Sequence, residues 1–94
     1  MQTPMDIAGQ NFIVTGAAKG IGLAISTLFH ELGARVSGWD LDDATMRDNP
    51  VFADSQIVNV ADEAQTNAGF AASLSALGDI DGIIANAGVN GPSK

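Results

Sequence analysis

Short, almost wholly apolar runs alternate along this chain with stretches whose apolar residues recur every three or four positions. The run Asn11–Thr15, closed by Gly16, reads as a buried strand. Ile21, Ile25, Leu28, Phe29 and Leu32 then follow at helical spacing, and Gly33 stands where a helix C-terminus is expected. Arg35–Asp40 reads as a second strand. Residues 41–54 are polar and interrupted by Pro50, which predicts a loop with at most a short helix over 44–47. A third strand is predicted over residues 55–60. Asp62 with Gln65 three positions later has the form of a capping box. The helix it starts runs to Leu77, with Phe70, Leu74 and Leu77 on one face and Gly78 as its stop. A fourth strand is predicted over residues 80–86, followed by a polar tail with Gly and Pro.

Strand and helix in strict alternation predict the α/β class: a Rossmann-like parallel sheet with helices on both faces. Right-handed crossovers give the strand order 3-2-1-4. The 94 residues suffice for one small domain, and neither an internal repeat nor a second domain is visible. A hydrophobic fraction of 46% with 16% charged residues fits a folded chain rather than a disordered one. Net charge is -7, which argues against nucleic acid and anionic membrane surfaces as partners. An anionic ligand would therefore be held by local dipoles and N–H groups, against the global field. The absence of cysteine excludes disulfides and thiolate metal sites. No basic leader and no apolar run long enough for a membrane span can be seen, so a soluble cytoplasmic protein is expected.

The chemistry lies in Thr15-Gly16-Ala17-Ala18-Lys19-Gly20-Ile21-Gly22, between the first strand and the first helix. A glycine-rich turn at a helix N-terminus is suited to a diphosphate, because the helix offers unpaired N–H groups and a partial positive charge. Gly16 permits the sharp turn, Gly20 a close approach of backbone to anion, and Gly22 tight packing of helix on strand. The spacing is neither G-x-G-x-x-G nor a P-loop, since Lys19 precedes Gly20 and no Gly-Lys-Ser/Thr follows. It resembles the first turn of the short-chain dehydrogenase/reductase family, Thr-Gly-x-x-x-Gly-Ile-Gly, at Thr15, Gly16, Gly20, Ile21 and Gly22. Ala-Asn-Ala-Gly at residues 85–88 is similar to the family's Asn-Asn-Ala-Gly.

Asp40 ends the second strand eighteen residues after Gly22, where NAD-binding folds place a carboxylate on the adenosine ribose hydroxyls. Such a charged hydrogen bond contributes ~1.5–3 kcal/mol. A 2′-phosphate at the same place would meet like charge, costing up to ~4 kcal/mol at 4 Å in a semi-polar site. In the family, a basic residue before the second motif glycine often accompanies NADP, so Lys19 pulls the other way. Asp40 is aimed at the discriminating atoms, and NAD is the expected cofactor, with NADP weaker. The resemblance further implies that Asn59, in place of the family's aspartate, accepts from the adenine amino group while the Val60 N–H meets the ring. It makes Asn86 a brace for the central sheet and puts Ala87 and Gly88 beside the cofactor ribose. Ala18 within the turn and Leu41 beyond Asp40 complete the expected cofactor contacts. Asp62 reads as a helix cap, Asp81 as structural, His30 as a solvated helix residue, and Trp39 as packed beneath a helix. The aspartates at 40, 42 and 43 lack a calcium-loop pattern.

In the family, hydride passes between the nicotinamide ring and an alcohol or carbonyl. A Tyr-x-x-x-Lys pair, a serine and an asparagine beyond strand four carry the protons. This sequence has no tyrosine, so no such general acid is present, and only the adenosine diphosphate half of the site is expected. The resemblance therefore implies the cofactor-binding N-terminal portion of an oxidoreductase, inactive alone. A non-catalytic nucleotide-binding or interaction module that pairs with another chain is the alternative, and a structural remnant without ligand a third. An uncovered strand-four edge, with Phe70, Leu74 and Leu77 of the helix after strand three left partly uncovered, predicts self-association or a complementary chain there.

Overall fold

The computed structural model describes residues 7–86. β1 (Asn11–Thr15), α1 (Gly20–Glu31), β2 (Arg35–Asp40), α2 (Asp43–Arg47), β3 (Phe52–Ile57), α3 (Glu63–Leu77) and β4 (Gly82–Ile84) follow one another along the chain. All strands are parallel, in the order β3-β2-β1-β4. The expected fold class and strand order are both observed.

Alternation along β1 divides the core into two layers. Val14 faces the layer of Val36 and Met46, against which Ile25 and Phe29 of α1 pack. Ile13 faces the opposite layer, with Trp39 and Val58 beneath α3. Phe12 meets Phe29 edge to face, ring centroids 4.9 Å apart. At the N-terminal ends of the strands a polar cluster ties the sheet together. The Asn11 N–H donates to Asp81 Oδ2 at 2.8 Å, Asn11 Nδ2 to Asp79 Oδ1 at 2.7 Å, and Arg35 Nε to Asn11 Oδ1 at 2.9 Å. This bears out the structural reading of Asp81.

Four expectations need correction. β3 begins at Phe52, three residues before the expected start, and ends at Ile57. The polar residues that suggested a loop are satisfied inside the sheet: Asp54 Oδ2 accepts from Ser37 Oγ at 2.8 Å, and Gln56 Nε2 donates to Asp54. β4 covers only Gly82–Ile84 of the predicted 80–86, because Asp81 N–H is already bonded to the Asn11 carbonyl before the ladder begins. In α1 only part of the predicted apolar face turns inward: Ile25 and Phe29 pack on the core, but Ile21 and Leu28 do not. Gly22 and Ser26 are the buried residues of α1, and Gly69, Ser73 and Leu77 those of α3, whereas Ile21, Leu28, Phe70 and Leu74 are exposed. Finally, the capping box is half-formed. Asp62 accepts from the Gln65 N–H at 3.1 Å, but Gln65 Oε1 accepts from the Asn59 N–H at 2.8 Å rather than from the Asp62 N–H, which donates to the Asn59 carbonyl at 2.9 Å, while Gln65 Nε2 reaches Asp62 Oδ2 at 3.4 Å.

Candidate dinucleotide site

The site lies at the C-terminal ends of the strands, where β1 runs through the glycine turn into α1. Gly16 and Gly20 have φ of 63° and 61°, the left-handed region that glycine enters without strain. The turn is fastened to β2 by consecutive amides: Ala17 N–H donates to the Trp39 carbonyl at 3.1 Å and Ala18 N–H to Asp40 Oδ2 at 3.0 Å. Asn86, buried at the end of β4, reaches the Gly16 carbonyl with Nδ2 at 3.4 Å. A Cβ on Gly22 would stand 1.9 Å from that same carbonyl oxygen, so only glycine lets α1 approach β1 here.

α1 starts without a side-chain cap, with extended backbone at Lys19 and no acidic residue in its first turn. The N–H groups of Gly20, Ile21 and Gly22 donate to no acceptor among the described residues. They form, with the helix dipole, a cradle for an anion. Lys19 and Ile21 are exposed beside it, and Lys19 forms no ion pair with a described residue. Ala18 is buried, and its N–H faces Asp40 rather than the open side.

Next to the turn opens a cleft of about 150 Å³ lined by Gly16, Trp39, Asp40, Leu41, Val58, Asn59 and Val60. Residues predicted from three separate segments thus share one cavity. Asp40 is half-buried at its edge, with Oδ1 accepting from the Leu41 N–H at 2.7 Å and the Asp42 N–H at 3.3 Å. Leu41 is exposed. Asn59 Oδ1 accepts from the Ala61 N–H at 3.0 Å, which keeps the amide oxygen at the cleft with one lone pair engaged. The Val60 N–H has no acceptor among the described residues, and Thr66 Oγ1 donates to its carbonyl at 3.4 Å. Ala87 and Gly88 lie outside the described residues.

Sequence reasoning missed three members. Trp39 forms the wall of the cleft, its indole Nε1 donating to Ser73 Oγ at 2.9 Å. Val58 lines the floor while its N–H donates to the Asp40 carbonyl at 3.2 Å. Gln65 holds the Asn59 backbone from α3. Position at the C-terminal ends of β2 and β3, Trp39 just inside and Val58 just beyond, was the available signal. No described helix is long and apolar enough to cross a membrane, and no described cluster of His, Cys, Asp or Glu could hold a metal ion.

The chain is similar to several known proteins. A 2-(R)-hydroxypropyl-CoM dehydrogenase of Xanthobacter autotrophicus is 40% identical over 90 residues, covering 87% of this chain and 36% of the relative. A 2-dehydro-3-deoxy-L-rhamnonate dehydrogenase (NAD(+)) of Sphingomonas is 33% identical over 87 residues, 89% of this chain and 35% of the relative. The chain thus spans about a third of the length of these relatives. Among solved structures, a 3-ketoacyl-(acyl-carrier-protein) reductase from Brucella melitensis complexed with NADH superposes with a TM-score of 0.74 at 26% identity, over 82% of this chain and 34% of that one. Residues 10–94 match the family described as short chain dehydrogenase. With that match over most of its length, and with its glycine turn at the head of a 3-2-1-4 parallel sheet, the chain belongs to the short chain dehydrogenase family.

Proposed function

We propose that this chain is the N-terminal dinucleotide-binding portion of an NAD-dependent oxidoreductase. In the complete fold that enzyme would transfer hydride between the nicotinamide and an alcohol or carbonyl substrate. The observation that carries the reading is the shared cleft, which gathers Gly16, Asp40, Leu41, Asn59 and Val60 beside the free N–H groups of α1. The diphosphate would lie on the Gly20–Gly22 amides. The adenine would enter between Leu41, Val58 and Val60, with Val60 N–H and Asn59 Oδ1 offering one donor and one acceptor to its edge. The adenosine ribose would meet Asp40. The nicotinamide, when bound, supplies the hydride acceptor or donor.

Support for NAD over NADP comes from Asp40. Its carboxylate is held in place by backbone N–H groups at the cleft edge, whereas Lys19 is exposed and unpaired among the described residues. A 2′-phosphate would therefore confront a fixed negative charge before it met a mobile positive one. The relative named for NAD(+) and the reductase complexed with NADH agree with this preference. Calorimetric titration of NAD and NADP into the wild type and Asp40→Ala provides the test. NAD is expected to bind more tightly to the wild type, and the gap should narrow at least tenfold in the variant. An unchanged ratio would remove Asp40 from the ribose site.

The second reading, an interaction module pairing with another chain, rests on a different observation. Among the described residues β4 pairs only with β1, and Ile83 on that strand and Phe70 of α3 are exposed across a shared groove. The two readings are compatible, since the cleft and the groove at the edge are separate cavities that share the Trp39 and Val60 wall.

A further inference from the structure

We infer that Asp40 is a positioning residue for the phosphate turn, holding it by the Ala18 N–H independently of any contact with a ribose. This rests on the dinucleotide reading above and extends it to how the anion cradle keeps its shape. The carboxylate bridges two segments. Oδ1 is fixed at the end of β2 by the Leu41 and Asp42 N–H groups, and Oδ2 takes the Ala18 N–H at 3.0 Å across a sequence gap of 22 residues.

The Ala17 N–H bond to the Trp39 carbonyl lies immediately beside it, so two successive amides are drawn toward β2. The following N–H groups, of Gly20, Ile21 and Gly22, are left free for an anion. From the other flank only Asn86 Nδ2 reaches the turn with a side chain among the described residues, through the longer 3.4 Å contact to the Gly16 carbonyl. Asp40 is thus the closer of the two side-chain anchors of a segment whose glycines would otherwise let it wander. Its negative charge opposes a phosphate over distance, yet its hydrogen bond orients the backbone that binds one. A substitution chosen to relax ribose selectivity would loosen the phosphate cradle as well.

The probes are ADP and 2′,3′-dideoxy-ADP, the second of which offers Asp40 no ribose hydroxyl. Each is titrated into wild type, Asp40→Ala, and Asp42→Asn, which removes the same unit of charge from the neighbouring exposed carboxylate. Circular dichroism checks that each is folded. If Asp40→Ala does not fold, the isosteric Asp40→Asn, which loses one acceptor oxygen, takes its place. Dideoxy-ADP is expected to bind about tenfold more weakly to the Asp40 variant than to Asp42→Asn, the usual scale for losing one charge-assisted bond. Amide hydrogen exchange at Ala18 in the ligand-free protein should accelerate at least tenfold in the same variant. Equal dideoxy-ADP affinity in the two variants, with only ADP weakened at Asp40, would overturn the proposal and leave Asp40 a ribose contact alone. Unchanged exchange at Ala18 would overturn it too. Failure of the wild type to bind ADP would overturn the dinucleotide reading instead, and Ala18 exchange would then decide the anchor by itself.

Discussion

A Cβ at Gly22 would stand 1.9 Å from the Gly16 carbonyl oxygen, while one at Gly20 would meet nothing within 4 Å. The two glycines therefore fail differently when replaced. Gly22→Ala forces α1 away from β1 and is expected to destabilise the fold by ~1–3 kcal/mol or more, as overpacked sites do. Gly20→Val places a branched side chain at a left-handed φ, a strain of ~1–2 kcal/mol, and fills the approach to the free amides. It should leave the chain folded and abolish nucleotide binding. Denaturant unfolding beside a nucleotide titration separates the two, and a Gly20→Val protein that still binds would remove the turn from the phosphate site. The glycine positions were legible in the sequence because their spacing is local. The Asp40 bond to Ala18 and the Gln65 bond to Asn59 were not, since each depends on how separate segments come to lie side by side.

At the scale of elements, order, type and direction were readable from periodicity alone, and β1, β2 and the short α2 lie where the pattern put them. What periodicity misjudged was how much of the α1 apolar face turns inward: Ile25 and Phe29 pack on the core, but Ile21 and Leu28 stay exposed, and in both helices small residues, Gly22 with Ser26 and Gly69 with Ser73, are buried. In α3 the key contact is Ser73, whose Oγ lies 2.7 Å from Ser37 Oγ and accepts from the Trp39 indole. The start of β3 was misread for a related reason: Asp54 looked like a loop residue, yet the same hydroxyl cluster satisfies it. Ser73→Ala would leave Trp39 Nε1 without its acceptor in a buried place, and should cost ~1–3 kcal/mol. Thermal unfolding monitored by circular dichroism measures it. A loss below about half a kcal/mol would mean that water or a neighbour replaces the hydroxyl.

For the molecule as a whole, the described sheet has its two central strands covered and a bare flank at β4. Ile83 is 51% exposed and Phe70 38%, both lining a groove of about 380 Å³ that also includes Val60 and Ala85, and Leu74 of the same helix as Phe70 is 39% exposed. Leu77, expected among the uncovered residues, is buried instead. Burial of each such side chain stabilises by ~1.5–3 kcal/mol, a large share of a small domain's stability of roughly 5 kcal/mol or more. An open edge strand beside an apolar face favours association, and sedimentation over a concentration series is expected to show this chain forming dimers or larger species. Ile83→Lys should shift it toward monomer. A wild type that stays monomeric at every concentration would contradict the association. The wall between this groove and the cleft beside the glycine turn has one further consequence. Trp39 lines both cavities, is 3% exposed, and is the chain's sole tryptophan, so every photon of indole emission originates at that wall. Reduced nicotinamide absorbs where a shielded indole emits. One intrinsic fluorophore would thus register a reduced dinucleotide by energy transfer and unfolding by a red shift, without any label.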